Sequence, residues 1–117
     1  MLGFSSSCPQ AQTAAASPSG KTWLCGPFTS GNRAPFESAE VALRQVGIVP
    51  CYGPHDLGTF ADPFGLARAR IGRMMDCDLV CLLDGWASDP DAEFEFHVAR
   101  RLGIKCQAFV ILMSAAP

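Results

Sequence analysis

Cys77-Asp78-Leu79-Val80-Cys81-Leu82-Leu83-Asp84-Gly85-Trp86 decides the fold. Leu79–Leu83 is a continuous apolar run without alternation, the pattern of a strand buried on both faces of a parallel sheet. It breaks abruptly into an acid, a glycine and a tryptophan, a turn. Parallel strands need crossover connections, and helical stretches flank this run on both sides.

Upstream, Asp62 is placed to cap a helix whose first residue is Pro63. Phe64, Ala67, Ile71 and Met74 or Met75 are its expected buried face. Downstream, Ser88 or Asp89 caps a helix with Phe94, Val98 and Leu102 as its apolar stripe and Gly103 as its stop. A last strand is expected over Cys106–Met113. Further upstream, Thr22-Trp23-Leu24-Cys25 ends at Gly26-Pro27 and reads as the first strand. A helix then starts near Pro35, with Phe36, Ala39, Leu43 and Val46 on one face and Gly47 as its stop. Ile48–Tyr52 is a second strand, and Pro50 makes it an edge strand. His55–Ala61 reads as loop. The expected fold is an α/β three-layer sandwich of Rossmann or flavodoxin type. Its sheet has four or five mostly parallel strands and right-handed connections.

The 117 residues suit one domain. Residues 1–20 carry no charge and no period, and read as a flexible leader ahead of a domain at 21–117. A hydrophobic fraction of 49% is too high for a disordered chain. A net charge of −2 without a basic stripe argues against nucleic-acid binding. No apolar run approaches the roughly 18 residues of a membrane span. The N-terminus has no secretory signal pattern, which points to the cytoplasm. The six cysteines (Cys8, Cys25, Cys51, Cys77, Cys81 and Cys106) include no C-x-x-C pair. Most lie in apolar runs and read as reduced, buried small hydrophobes, with no metal site expected.

Seven of the eleven acids lie between Asp76 and Glu95. Ligands of open α/β sheets bind beyond the carboxyl ends of the strands. The expected crevice is therefore built from Gly26-Pro27, Tyr52-Gly53, Asp84-Gly85-Trp86 and the start of the last long helix. Glu95 stands out because Ala92 and Ala99 flank it on one helical face, leaving its carboxylate open to close approach. The plain alternative is a solvated surface glutamate. Asp89, Asp91 and Glu93 sit in the first helical turn, where acids favour the helix dipole. Asp84 is a turn residue or a second site carboxylate. Trp86 stacks on a ligand or covers the core edge. His55 and His97 have no nucleophile at readable spacing and read as surface or satisfied residues. No phosphate-binding glycine loop is present, and no cofactor is expected.

Trp23-Leu24-Cys25-Gly26-Pro27-Phe28, the Cys77–Trp86 run and Glu95-x-x-x-Ala99 together resemble the nucleoside 2-deoxyribosyltransferase-like superfamily, in its small uncharacterised bacterial and phage branch. The resemblance covers about residues 21–112. It implies cleavage or transfer of the N-glycosidic bond of a nucleoside or nucleotide, with Glu95 attacking the sugar's anomeric carbon in a two-step retaining reaction. It implies Asp84 as the group handling base or sugar hydroxyl. Gly26, Pro27, Phe28, Trp86, Ser88 and Arg70 would bind substrate, and the assembly would be a homodimer or larger. The chain departs from the family at Arg70, where an acid usually helps protonate the leaving base, and at Trp23, where a tyrosine orients the glutamate. Asp89, Asp91 and Glu93 replace the Ser and Gly with which a related branch holds phosphate. These departures motivate a second expectation, a non-catalytic nucleoside or nucleotide-derivative binding module. A third expectation is an oligomeric interaction protein using Phe94, Phe96 and Phe109–Met113.

Overall fold

A computed structural model describes residues 20–29, 32–58 and 60–114. The leader expected over 1–20 lies outside them apart from Gly20, as do Cys8 and the loop residues Ser30 and Gly31. Four parallel strands form one sheet: β1 (Thr22–Cys25), β2 (Cys51–Tyr52), β3 (Leu79–Leu82) and β4 (Lys105–Ala108), in the order β2-β1-β3-β4. β1 and β3 pair in register from Thr22↔Leu79 to Cys25↔Leu82, and all eight of their residues are buried. This double burial is why neither strand shows alternation in its sequence.

Four α-helices cover the sheet: α1 (Ala34–Gln45), α2 (Pro63–Met75), α3 (Pro90–Arg101) and α4 (Phe109–Ser114). Trp23, Cys25, Val80 and Leu82 point to one side, where Met74, Ala92 and Ala99 of α2 and α3 close the core. Leu24, Cys81 and Leu83 point to the other side, against Phe36, Ala39 and Leu43 of α1 and Phe109 and Leu112 of α4. The result is the expected three-layer α/β sandwich. No helix among the described residues is long and apolar enough to cross a membrane.

Local signals account for the element ends. Asp62 Oδ1 accepts from Gly65 N at 2.8 Å, and Asp89 Oδ2 from Ala92 N at 2.9 Å. Both acids satisfy backbone donors left free at a helix start. Gly47 (φ 85°) and Gly103 (φ 77°) take the left-handed conformation just after α1 and α3. β2 lies at the sheet edge as expected, but it has two residues instead of five. Pro50 has no N–H for the ladder, yet its carbonyl accepts from Thr22 N at 3.0 Å. The segment expected to be loop contains a short 3-10 turn, Pro54–Asp56.

Three expectations fail. In α2, Phe64 is 72% exposed and Met75 is 55% exposed, while Arg70 is buried beside Met74. In α3, Phe94 and Leu102 are exposed, and Ala92, Glu95 and Ala99 form the inner face. An apolar stripe marks the inner face only when the inner residues are apolar, and here an arginine and a glutamate bury each other. The last strand stops at Ala108, and Phe109–Ser114 turns into α4 to cover Leu24 and Leu83.

Candidate functional site

The loops after β1 and β3 meet at the carboxyl ends of their strands. Leu83 N donates to Cys25 O at 2.8 Å, so the ladder runs one step past the end of β3. A Cβ at Gly26 would lie 3.0 Å from Leu83 Cβ, so the crossing suits glycine. Gly85 has φ 86°, and a Cβ there would lie 3.2 Å from Pro27 Cγ. The Gly26-Pro27 bend and the Asp84-Gly85-Trp86 turn are therefore packed together.

Two clefts open around this junction. One, of about 570 Å³, is lined by Pro27, Phe36, Ala39, Leu83, Asp84 and Phe109. The other, of about 370 Å³, is lined by Asp84, Trp86, Ser88, Ala108 and Phe109 among others. Asp84 is exposed and shared between them. Trp86 lines the second cleft and also packs on Phe96, with ring centroids 4.5 Å apart, so it both faces a cleft and covers the core. Phe28 lines a third cleft, of about 500 Å³, and meets Phe36 edge-on at 5.5 Å.

Glu95 sits elsewhere. It projects from α3 toward the α2 side of β1, with 2% of its surface exposed. Trp23 Nε1 donates to its Oε1 at 3.0 Å. Arg70 Nε lies 2.5 Å from its Oε2, off line for a hydrogen bond, and Arg70 Nη2 has no partner among the described residues. Cys25 Sγ donates to Ala92 O at 3.2 Å in the same buried region. Burial pushes the Glu95 carboxyl above its ordinary range, opposed by the Arg70 charge and by the Trp23 hydrogen bond. Neither Glu95 nor Arg70 lines any of the three clefts. The structure thus groups Pro27, Asp84, Trp86 and Ser88 around open space, and Glu95 and Arg70 in a sealed cluster with Trp23.

Of the other acids, Asp89 is a cap, and Asp91 is exposed with its Oδ2 4.0 Å from Arg70 Nη1. His97 is exposed, but His55 is only 4% exposed and bonds Glu40 through Nε2 at 3.2 Å. Sequence reading placed His55 in a loop and gave Glu40 no role. The two are fifteen positions apart, and only the Pro54–Asp56 turn folds one onto the other.

Residues 20–108 match the family described as a domain of unknown function, DUF4406. The chain belongs to this family. No curated protein and no solved structure matches it.

Proposed function

We propose that this DUF4406 domain processes a nucleoside-class small molecule at its N-glycosidic bond, with Glu95 as the nucleophile. The observation that carries this reading is the burial of an ionisable carboxylate at 2% exposure beside β1 with a specific charge partner, the pattern of a functional-site candidate. Its charge partner, Arg70, favours the ionised form that a nucleophile needs. In the reaction, a Glu95 oxygen bonds the anomeric carbon and the base departs with the C–N electron pair and takes up a proton from solvent water. Water or a second base then attacks the same carbon and frees the carboxylate. This reading requires the buried Arg70–Glu95 cluster to open toward the clefts at Asp84 and Trp86, which it does not line, so that those two residues can meet the base or a sugar hydroxyl. The motif resemblance across residues 21–112 supports the choice of substrate class.

A second reading, nucleoside binding without turnover, is favoured by the sealing of Glu95. One of its oxygens faces Trp23 and the other faces Arg70. Incubation with deoxynucleosides and a second free base separates the two readings. Turnover predicts base exchange or base release that Glu95→Ala abolishes. Binding alone predicts a nucleoside-induced rise in melting temperature with no product. Neither product nor shift across a nucleoside and nucleotide panel removes both. The exposed Phe94 and Leu102 of α3 and Val110 and Ile111 of α4 support a homodimer or larger assembly. A monomer by light scattering at working concentration counts against it.

A further inference from the structure

We infer that Glu40, His55 and Asp56 form a binding site for a first-row divalent metal ion such as zinc or cobalt. This site is separate from the Glu95 cluster, and the inference does not depend on the function proposed above. One ligand atom from each residue lies within 4.8 Å of the others. His55 Nε2 stands 3.2 Å from Glu40 Oε1 and 3.6 Å from Asp56 Oδ1. Ligands about 2.0–2.2 Å from a tetrahedral metal stand about 3.3–3.6 Å apart, so these two gaps are close to edges of a coordination tetrahedron.

The three side chains are held from behind. Asp56 Oδ2 accepts from Gly53 N at 2.9 Å, which leaves Oδ1 facing the imidazole. Arg44 Nη2 lies 3.4 Å from Glu40 Oε2, which leaves Oε1 facing it as well. The His55 ring stacks on Phe36 with centroids 5.5 Å apart, and a Cβ at Gly53 would come within 2.8 Å of Nδ1. The ring is therefore clamped with Nε2 toward both carboxylates, and its side chain is only 2% exposed. Two carboxylates and a neutral imidazole carry the charge that a divalent ion neutralises, and this donor set suits zinc and its neighbours. Glu40 and Asp56 also line a cleft of about 460 Å³, which gives the two carboxylates an approach from solvent.

Metal on Nε2 places the ring proton on Nδ1, which has no acceptor among the described residues. Loss of such a supporting partner weakens metal affinity about 10–100-fold relative to a site that has one. Cys51 lines the same cleft, but its Sγ is engaged as a donor to Ile48 O at 3.3 Å and it is not counted among the ligands.

The test uses the full metal-free chain, titrated with Co²⁺ by absorption and with Zn²⁺ by calorimetry. Binding of one equivalent is expected, without a thiolate-to-cobalt charge-transfer band. Glu40→Gln and Asp56→Asn should each weaken it at least about 10-fold. Both carboxylates reach solvent, and far-UV circular dichroism confirms that each variant is folded. Absence of saturable binding, equal binding by both folded variants, or a thiolate band overturns the assignment.

Discussion

Arg70 and Glu95 form an ion pair sealed inside the protein, each side chain 3% exposed, across the interface of α2 and α3. The pair explains why two helices with charged inner positions pack on an apolar sheet. Removing either charge from water is expensive, and their mutual attraction with the Trp23 hydrogen bond offsets much of that penalty.

The two halves of the pair are not equivalent. Arginine cannot lose its proton in a protein, whereas a stranded carboxylate can neutralise itself by taking one. Glu95→Ala removes the counter-charge of a buried guanidinium, the acceptor of the Trp23 Nε1 hydrogen bond and the packed side chain together, and should destabilise the fold by about 3–5 kcal/mol. Arg70→Met should cost less, because Glu95 then protonates. Urea unfolding of both variants at neutral pH checks the order, and an equal or reversed order contradicts it.

The pH dependence follows from the raised Glu95 carboxyl. Between its unfolded value near 4.5 and its higher folded value, the native state binds more protons than the unfolded state, so stability falls as pH rises. Glu95's contribution is therefore fully present below the unfolded value and is lost as pH rises through the folded one. Wild type should gain stability relative to Glu95→Gln as pH falls from 7 toward about 4.5. A difference between the two proteins that is flat in pH would show that Glu95 titrates normally in the fold.

The sheet was legible because burial on both faces leaves an unmistakable trace. Thr22–Cys25 and Leu79–Leu82 need no partner information to be read as strands, and Asp62, Asp89, Gly47 and Gly103 mark helix ends by local chemistry alone. The inner faces of α2 and α3 were not legible from apolar periodicity. Ala92, Glu95 and Ala99 were singled out for their spacing, but Arg70 is inside only because Glu95 is, a long-range pairing that no window along the chain contains. The end of β4 was hidden for another reason. Phe109–Met113 is apolar enough for a strand, yet an edge position lets the chain leave the sheet and cover Leu24 as a helix. The Gly26 and Asp84 turns were expected together and do adjoin, because short loops at neighbouring parallel strand ends share one edge.

Thiol reactivity should follow burial. Burial raises Cys25 strongly, lifts Cys81 to about 12 and Cys77 to about 11, while Cys106 is only partly buried. Thiolate is the reactive form, so these buried thiols should resist a disulfide reagent at pH 8 until the protein unfolds. Among the described cysteines, Cys106 should react first. Peptide mapping after brief labelling checks this, and early modification of Cys25 or Cys81 runs against it.

Asp89 gives a local prediction that separates helix capping from site chemistry. Its Oδ2 accepts the Ala92 N–H, and Ala92 is fully buried against the sheet with its carbonyl taken by Cys25 Sγ. Losing the cap frees a donor at the start of the helix that carries Glu95, so Asp89→Ala should destabilise by about 1 kcal/mol. Asp89→Asn keeps an acceptor at the same place and should recover most of the loss. Asp91 is exposed and does not cap, so Asp91→Asn should change stability by less than about 0.5 kcal/mol, although its carboxylate is the one 4.0 Å from Arg70. Denaturant midpoints of the three variants test the ordering. If Asp91→Asn proves the more damaging change, charge around Arg70 rather than the cap sets the stability of the first turn of α3.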